Sequence, residues 1–382
     1  MNSKTVAQKR YEDVSGELRA ISRHLYENPE LGLREFESSR LLAEFLDKNG
    51  FAVTYPAWGL ETAFDAVAGD KGPEVVICAE YDALPEIGHA CGHNIIAAAA
   101  CGAGIALAPL AKDLGITIRV LGTPAEEGHG GKVDLIRAGA FENVAAAMMI
   151  HPSTNDEVAA KFLAVKHFKV EFQGLESHAG AAPHKGVNAL DAAVQAYVNI
   201  STMRQTMLAT DRVHGIITDG GAAPNIVPDH TAMVWYVRSL DLARLDELTE
   251  KFEACFKAAA LATGCNYSIE EMGNTTREMI TDPLMAELYL ANSEELGRPM
   301  AGLDSFAPWG GSTDMGNVSH VVPTIHPMLD IQSSPATNHQ RDFAAHTITS
   351  QGERAIDDGA IAMAWTVIDL AMGDRWDDLR PI

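Results

Sequence analysis

The chain is predicted to be an α/β protein. A mostly parallel sheet flanked by helices is interrupted by an inserted ferredoxin-like α+β domain. Two features predict this. Up to Ile150, short continuous apolar runs alternate with helical patterns, as in a sheet buried on both faces. Near residue 163 the pattern changes to a period-two strand and then to a β-α-β-β-α-β order, that of a split βαβ domain. The length, 382 residues, also exceeds what one hydrophobic core serves, so two domains are expected.

The elements follow in order. Val14, Leu18, Ile21 and Leu25 share one face of a helix expected over 9–26. Asn28-Pro29-Glu30-Leu31-Gly32 ends it. A second helix is expected from Glu35 to Asn49, with Gly50 at its C-terminal cap. Strands are expected at 74–79, 116–121 and 144–150, with helices at 93–108 and 131–138. The Ala-rich stretch Ile95 to Ala111 contains Gly102, Gly104 and Pro109. It reads as a buried helix, since a membrane span needs about 18 or more apolar residues. In the insert, Ala164 to Phe172 alternates as a half-exposed antiparallel strand does. A helix from Asn188 to Leu208, strands at Val213–Thr218 and Thr231–Val237, a helix at Leu242–Ala262 and a strand at Tyr267–Glu270 complete it. From 273 the first pattern resumes. The first domain is therefore expected to comprise 1–162 and 273–382, and the insert 163–272.

Composition excludes several function classes. Net charge is −23 with a pI of about 4.9, and no dense Lys/Arg cluster offers a face to nucleic acid or to an anionic membrane. The five cysteines are an odd number without framework spacing, which points to a reducing compartment. Met1-Asn2-Ser3-Lys4-Thr5 lacks the apolar core of a secretory signal. A cytoplasmic location is expected.

Chemistry concentrates where strands end. Glu126 and Glu127 follow the run Ile116 to Leu121 and a Gly-Thr-Pro turn. Cys91 and His93 follow the run Val75 to Cys78, and His151 follows Ala145 to Ile150. In open α/β sheets ligands bind beyond the carboxyl ends of strands, and thiolate, imidazole and carboxylate are metal-ligand types. Beside a metal, one carboxylate of the pair can ligate while the other takes a proton from water. Other readings stand next to this one. Cys91 can be a small buried apolar residue with the histidines capping a helix, or a thiol nucleophile with His93 as its base. The acidic pair can be a solvated turn, and His151 a hydrogen-bonded structural residue. Asp82 is placed either to orient a ligating imidazole or to form the turn before Pro85. His339, in Asn338-His339-Gln340-Arg341, reads alone as a surface residue. In the insert His178, Asn225 and Arg238 are polar groups suited to a carbonyl or carboxylate, each with an ordinary structural reading as well. Trp309-Gly310-Gly311-Ser312-Thr313-Asp314-Met315-Gly316 lacks a phosphate-loop motif and reads as a loop lining a substrate pocket.

Taken together, these residues resemble peptidase family M-twenty, the two-metal aminoacylases, carboxypeptidases and amidohydrolases. His89-Ala90-Cys91-Gly92-His93 is similar to the amidohydrolase branch. Gly122-Thr123-Pro124-Ala125-Glu126-Glu127-Gly128, Gly311 to Asn317 and Asn188-Ala189-Leu190-Asp191 are similar to a subgroup of aminobenzoyl-glutamate hydrolases and dipeptidases acting on peptides with a basic C-terminal residue. The resemblance spans nearly the whole chain. It implies two divalent ions, Zn²⁺ or Mn²⁺, with Cys91, His93, Glu127, His151 and His339 as ligands and the Cys91 thiolate bridging. It further implies that Glu126 is the general base, that His178 polarises the scissile carbonyl, and that Asn225 and Arg238 bind the acyl or carboxylate end of the substrate. The insert is implied to act as a lid and to form a homodimer. Asn94 stands where many of the branch carry Asp, and the context of His339 departs from the usual one, with His346 as its alternative; His184 competes with His178. The expected activity is hydrolysis, through a metal-activated water, of the amide bond of an N-acyl amino acid or dipeptide-like small molecule. Hydrolytic deamination of an aromatic amine at the same site, or a non-catalytic metal-binding or sensor protein, are the alternatives.

Overall fold

A computed structural model describes residues 2–303 and 311–382. Trp309 and Gly310 of the glycine-bearing loop lie outside the described residues. The chain divides into two compact units. One is Met1–Lys161 with Met279–Pro308 and Asp314–Ile382; the other is Phe162–Glu278 with Trp309–Thr313.

The first unit is built on a sheet whose strands run, in spatial order, Ala52–Thr54, Asp65–Ala68, Thr117–Gly122, Glu74–Ala79, Val144–Met148 and Thr324–Ile325. The last four are mutually parallel, and Asp65–Ala68 pairs antiparallel with its neighbours. Glu74–Ala79 lies between Thr117–Gly122 and Val144–Met148, so the chain leaves it to one side and later returns on the other. The carboxyl end of that strand is a topological switch point, where open α/β sheets form their crevice. The connecting helix His93–Leu107 is buried at every position, as its run of Ala, Gly and Ile requires. By length and composition the segment His93–Leu114 can cross a membrane, but 89% of its most apolar window is buried inside the fold.

The segment 9–26 is divided between two helices, Ser3–Glu12 and Ser15–Glu27, and the stripe beginning at Val14 lies on the second, with Val14 at its N-cap. Ala7, Tyr11, Val14, Leu18, Ile21 and Leu25 are all buried. The break at Asp13-Val14 leaves the apolar spacing in register, so periodicity alone does not reveal it. Two short strands, Ala52–Thr54 and Asp65–Ala68, are also missing from the sequence-based expectation because they are too brief to carry a period.

The second unit has the strand order Asn266–Glu271, Ala164–Gln173, His230–Ser239, Arg212–Asp219, all neighbours antiparallel. Helices Ala189–Met203 and Leu242–Thr263 pack on one face. Their N-termini are capped by Asn188 and Asp241, whose side chains accept from the first-turn N–H groups. Trp235, Phe252 and Phe256 form edge-on pairs in this core, each worth about 0.5–1.5 kcal/mol beyond burial. Thr276 exchanges backbone hydrogen bonds with Val165, and Glu278 accepts from Leu242 N–H, so the chain up to Glu278 is tied to this unit. A two-residue pairing, Ser177–His178 with Ile226–Val227, stands apart from the sheet.

Candidate metal centre

Three strand ends of the first unit converge on one polar cluster. The ligand atoms of Cys91, His93 and His151 lie within 4.8 Å of one another, as do those of Cys91, Glu127 and His339, and those of His93, Glu126 and Glu127. Cys91 belongs to two of these groups. The loop that presents Cys91 turns at Gly92, whose φ is +83°. A Cβ there would lie 2.2 Å from Pro152 Cγ, so only glycine lets this loop close against the residue after His151.

The ring nitrogens are oriented by their neighbours. His151 Nδ1 donates to the Pro152 carbonyl at 2.8 Å and Nε2 faces Cys91 Sγ at 3.5 Å, which leaves the Nε2 lone pair for the cluster. His93 Nδ1 is 2.9 Å from Asp82 Oδ1. The other Asp82 oxygen accepts from Glu127 N–H at 2.9 Å. Asp82 thus sets both an imidazole and the backbone of the acidic pair. His93 Nε2 is buried without a hydrogen bond, as expected of an atom aimed at a cation. His339, at φ +69°, donates its N–H to the Ala90 carbonyl at 2.8 Å, and its Nε2 lies 3.3 Å from Glu127 Oε1. Asn338 donates to the carbonyls of Cys91 and Pro152 at 3.5 and 3.2 Å, docking this loop onto the other two. His346, at the end of the helix Arg341–His346, is in none of the three ligand groups.

The electrostatics separate the two glutamates. Burial, and then the Glu127 charge, push Glu126 well above the usual carboxylate range. Glu127 is held below it: burial acts upward, but the hydrogen bond from His339 and the charge of His93 outweigh it. Against burial, Asp82 and then Glu80 hold the His93 imidazole well above its ordinary value. Burial brings His151 down to about 4. Burial, and then Glu127, push the Cys91 thiol up, the reverse of what a thiolate nucleophile needs. A cation supplied from outside would make this cysteine a ligand.

Three residues in and beside this cluster, Glu80, Lys132 and His326, are absent from the sequence-based expectation. Glu80 is fully buried, with Oε2 3.4 Å from His93 Nε2. Its other oxygen is 2.5 Å from Lys132 Nζ, which also lies 2.6 Å from Asp314 Oδ1; both carboxylates and the ammonium are fully buried or nearly so. His326 is 2% exposed, its ring centroid 5.4 Å from that of His151. A signal for it existed: Ile325-His326-Pro327 repeats the Ile150-His151-Pro152 pattern at the end of another strand. Lys132 had none, since a lysine in a helical first turn reads as solvated.

In the second unit His178 and Asn225 are brought together. His178 pairs with Ile226, and Ala179 N–H donates to the Asn225 carbonyl at 3.0 Å. His178 Nδ1 accepts from Gly180 and Ala181 N–H at 3.2 and 3.1 Å, which puts the proton of the neutral ring on Nε2. His184 is exposed in the turn Pro183–Lys185. Arg238 donates to Ser312 Oγ at 2.8 Å.

Residues 164–264 match the peptidase dimerisation domain. The chain is 41% identical over 379 residues to the Xaa-Arg dipeptidase of Mus musculus, covering 95% of this chain and 88% of that protein. It is 30% identical over 281 residues to a p-aminobenzoyl-glutamate hydrolase polypeptide of Escherichia coli (strain K12), covering 67% of this chain and 56% of that one. Among solved structures, a dinuclear metal-binding peptidase from Bacillus subtilis matches with a TM-score of 0.67 at 20% identity, over 94% of this chain and 99% of that one. At that identity the likeness is one of fold.

Proposed function

This chain belongs to peptidase family M-twenty, the aminoacylases, carboxypeptidases and amidohydrolases, and we propose that it is a metal-dependent hydrolase of dipeptides or N-acyl amino acids with Glu126 as its proton acceptor. The observation that carries the reading is the pair of ligand groups sharing Cys91, with Glu126 in the third group beside them. Cys91, His93 and His151 would hold one divalent ion, and Cys91, Glu127 and His339 a second. The mixed sulfur, nitrogen and oxygen donors suit Zn²⁺, with Mn²⁺ favoured by the carboxylate. When bound, such ions polarise a substrate carbonyl and bring the pKa of water towards about 7.

The chain's own residues perform the remaining steps. Glu126 takes the proton of the attacking water on its carboxylate and returns it to the leaving amine. Glu127, held in the charged form, serves as ligand. Asp82 keeps the His93 ring and the Glu127 backbone in place. His178 donates from Nε2 to the oxygen that becomes negative in the transition state. Arg238 takes the substrate carboxylate as a bidentate donor, with Asn225 on the acyl side. The mouse relative's name makes a dipeptide with C-terminal arginine the first substrate to try.

The test is a screen by mass spectrometry of dipeptides, N-acyl amino acids and aminobenzoyl-glutamate. Cleavage of one subset is expected, lost on chelation and restored by Zn²⁺ or Mn²⁺. Ammonia as the product would replace this reading with a deaminase. Full activity after metal removal would end it.

We further propose that the second unit joins two copies of the chain. Arg212–Asp219 is an edge strand with Ile216 and Ile217 exposed, and the helix Ala189–Met203 exposes Val194, Tyr197 and Val198. Edge strands of this kind template pairing with another chain. Ile216→Lys is expected to shift the protein from dimer to monomer in light scattering. A dimer unchanged in mass and dissociation constant would place the interface elsewhere.

A further inference from the structure

We propose that Glu35 is a positioning residue for Glu126, acting through the backbone of Ala125. Glu35 is 0% exposed, at the start of the helix Phe36–Lys48 and far in sequence from the acidic pair. Oε1 accepts from Ala125 N–H at 2.8 Å, and Oε2 accepts from Thr62 Oγ1 at 2.9 Å. Thr62 is held in turn, its carbonyl accepting from Tyr81 Oη at 2.5 Å.

Ala125 directly precedes Glu126 and has φ +57°, in the left-handed region that side chains other than glycine adopt at a cost. Something must hold it there. Its carbonyl accepts from Gly130 and Gly131 N–H at 3.0 and 3.1 Å, which closes the turn. Its N–H goes to Glu35. Gly32 passes close to it: a Cβ on Gly32 would lie 3.0 Å from Ala125 Cβ, so a larger residue there would crowd Ala125. On the far side of Glu126, the N–H of Glu127 is held by Asp82. The residues flanking Glu126 are therefore each fastened by a buried carboxylate from a distant segment. Asp82 also orients His93; Glu35 belongs to none of the ligand groups. What Glu35 determines is the conformation of the residue from which the Glu126 side chain departs. A displacement of a reacting group by about 1 Å is enough to lose on the order of a hundredfold in rate.

The inference rests on Glu126 as the proton acceptor. Its test compares Glu35→Gln, Glu35→Asp and Glu35→Asp with Ala125→Gly, using a C-terminal arginine dipeptide, with bound metal measured in parallel. Glutamine keeps an acceptor at the same reach and is expected to retain near-normal kcat. Aspartate keeps the charge but falls short of Ala125 N–H. It is expected to lose kcat by roughly 10- to 100-fold with KM and metal content unchanged. Glycine at 125 adopts positive φ freely and is expected to restore part of that loss. Normal kcat in Glu35→Asp, parallel loss of metal and kcat, or no recovery with glycine would overturn the proposal. Hydrogen exchange supplies a readout independent of turnover. The Ala125 amide is expected to exchange faster in Glu35→Asp than in wild type or Glu35→Gln; equal rates refute the contact. If wild type cleaves no amide substrate, the proposed function fails and the exchange experiment still judges the role of Glu35.

Discussion

Glu126→Gln is expected to keep its metals and its fold while kcat falls by at least about a hundredfold, the usual scale of general-base catalysis. The amide is nearly isosteric but cannot take a proton from water at neutral pH. The substitution also removes a like-charge pair. Glu126 is pushed upward by burial and then by Glu127, so neutralising it relieves repulsion and leaves stability equal or higher. That separates this variant from a merely misfolded one. Steady-state kinetics with metal analysis on the same preparation decide the matter. Near-normal turnover in metal-loaded Glu126→Gln would move the base to another residue.

Lys132→Met is expected to destabilise the protein by about 3–5 kcal/mol, the scale seen when one partner of a buried ion pair is removed. Lys132 Nζ lies between Glu80 and Asp314 at 2.5 and 2.6 Å, with all three side chains at 0–1% exposure. Methionine preserves volume but strands two carboxylates away from water. The physical cause is open to a direct check, because Glu80→Gln and Asp314→Asn in the Lys132→Met background remove the stranded charges. The triple variant is expected to regain most of the lost stability, as neutral replacements of whole buried ion clusters do. The midpoint of denaturant unfolding measures both effects. A wild-type midpoint in Lys132→Met would mean that the cluster is hydrated.

Much of the candidate metal centre is legible in the sequence because its chemistry is local. Cys91, His93, Glu126, Glu127 and His151 all follow apolar strands, and a strand's carboxyl end is where an open α/β sheet presents ligands. His339 was less legible. Its place is set by Asn338 reaching the Cys91 and Pro152 carbonyls, a contact between segments remote in sequence. His326 escapes a reading by periodicity, although its setting repeats that of His151, because the strand before it, Thr324–Ile325, is two residues long.

The alternation of elements, the change of pattern at the insert and the residue types gathered at strand ends are all written into the unfolded chain. They follow from periodicity and from local chemistry, which need no folding to be read. Which polar groups are buried, and what they face, emerges only when distant segments pack together. Glu35 and Lys132 have ordinary surface chemistry in the sequence. One is drawn under Ala125, and the other is enclosed with Glu80 and Asp314. Burial makes an unpaired charge costly, so the fold joins each to a partner far along the chain, and pairing at that separation has no local period to read.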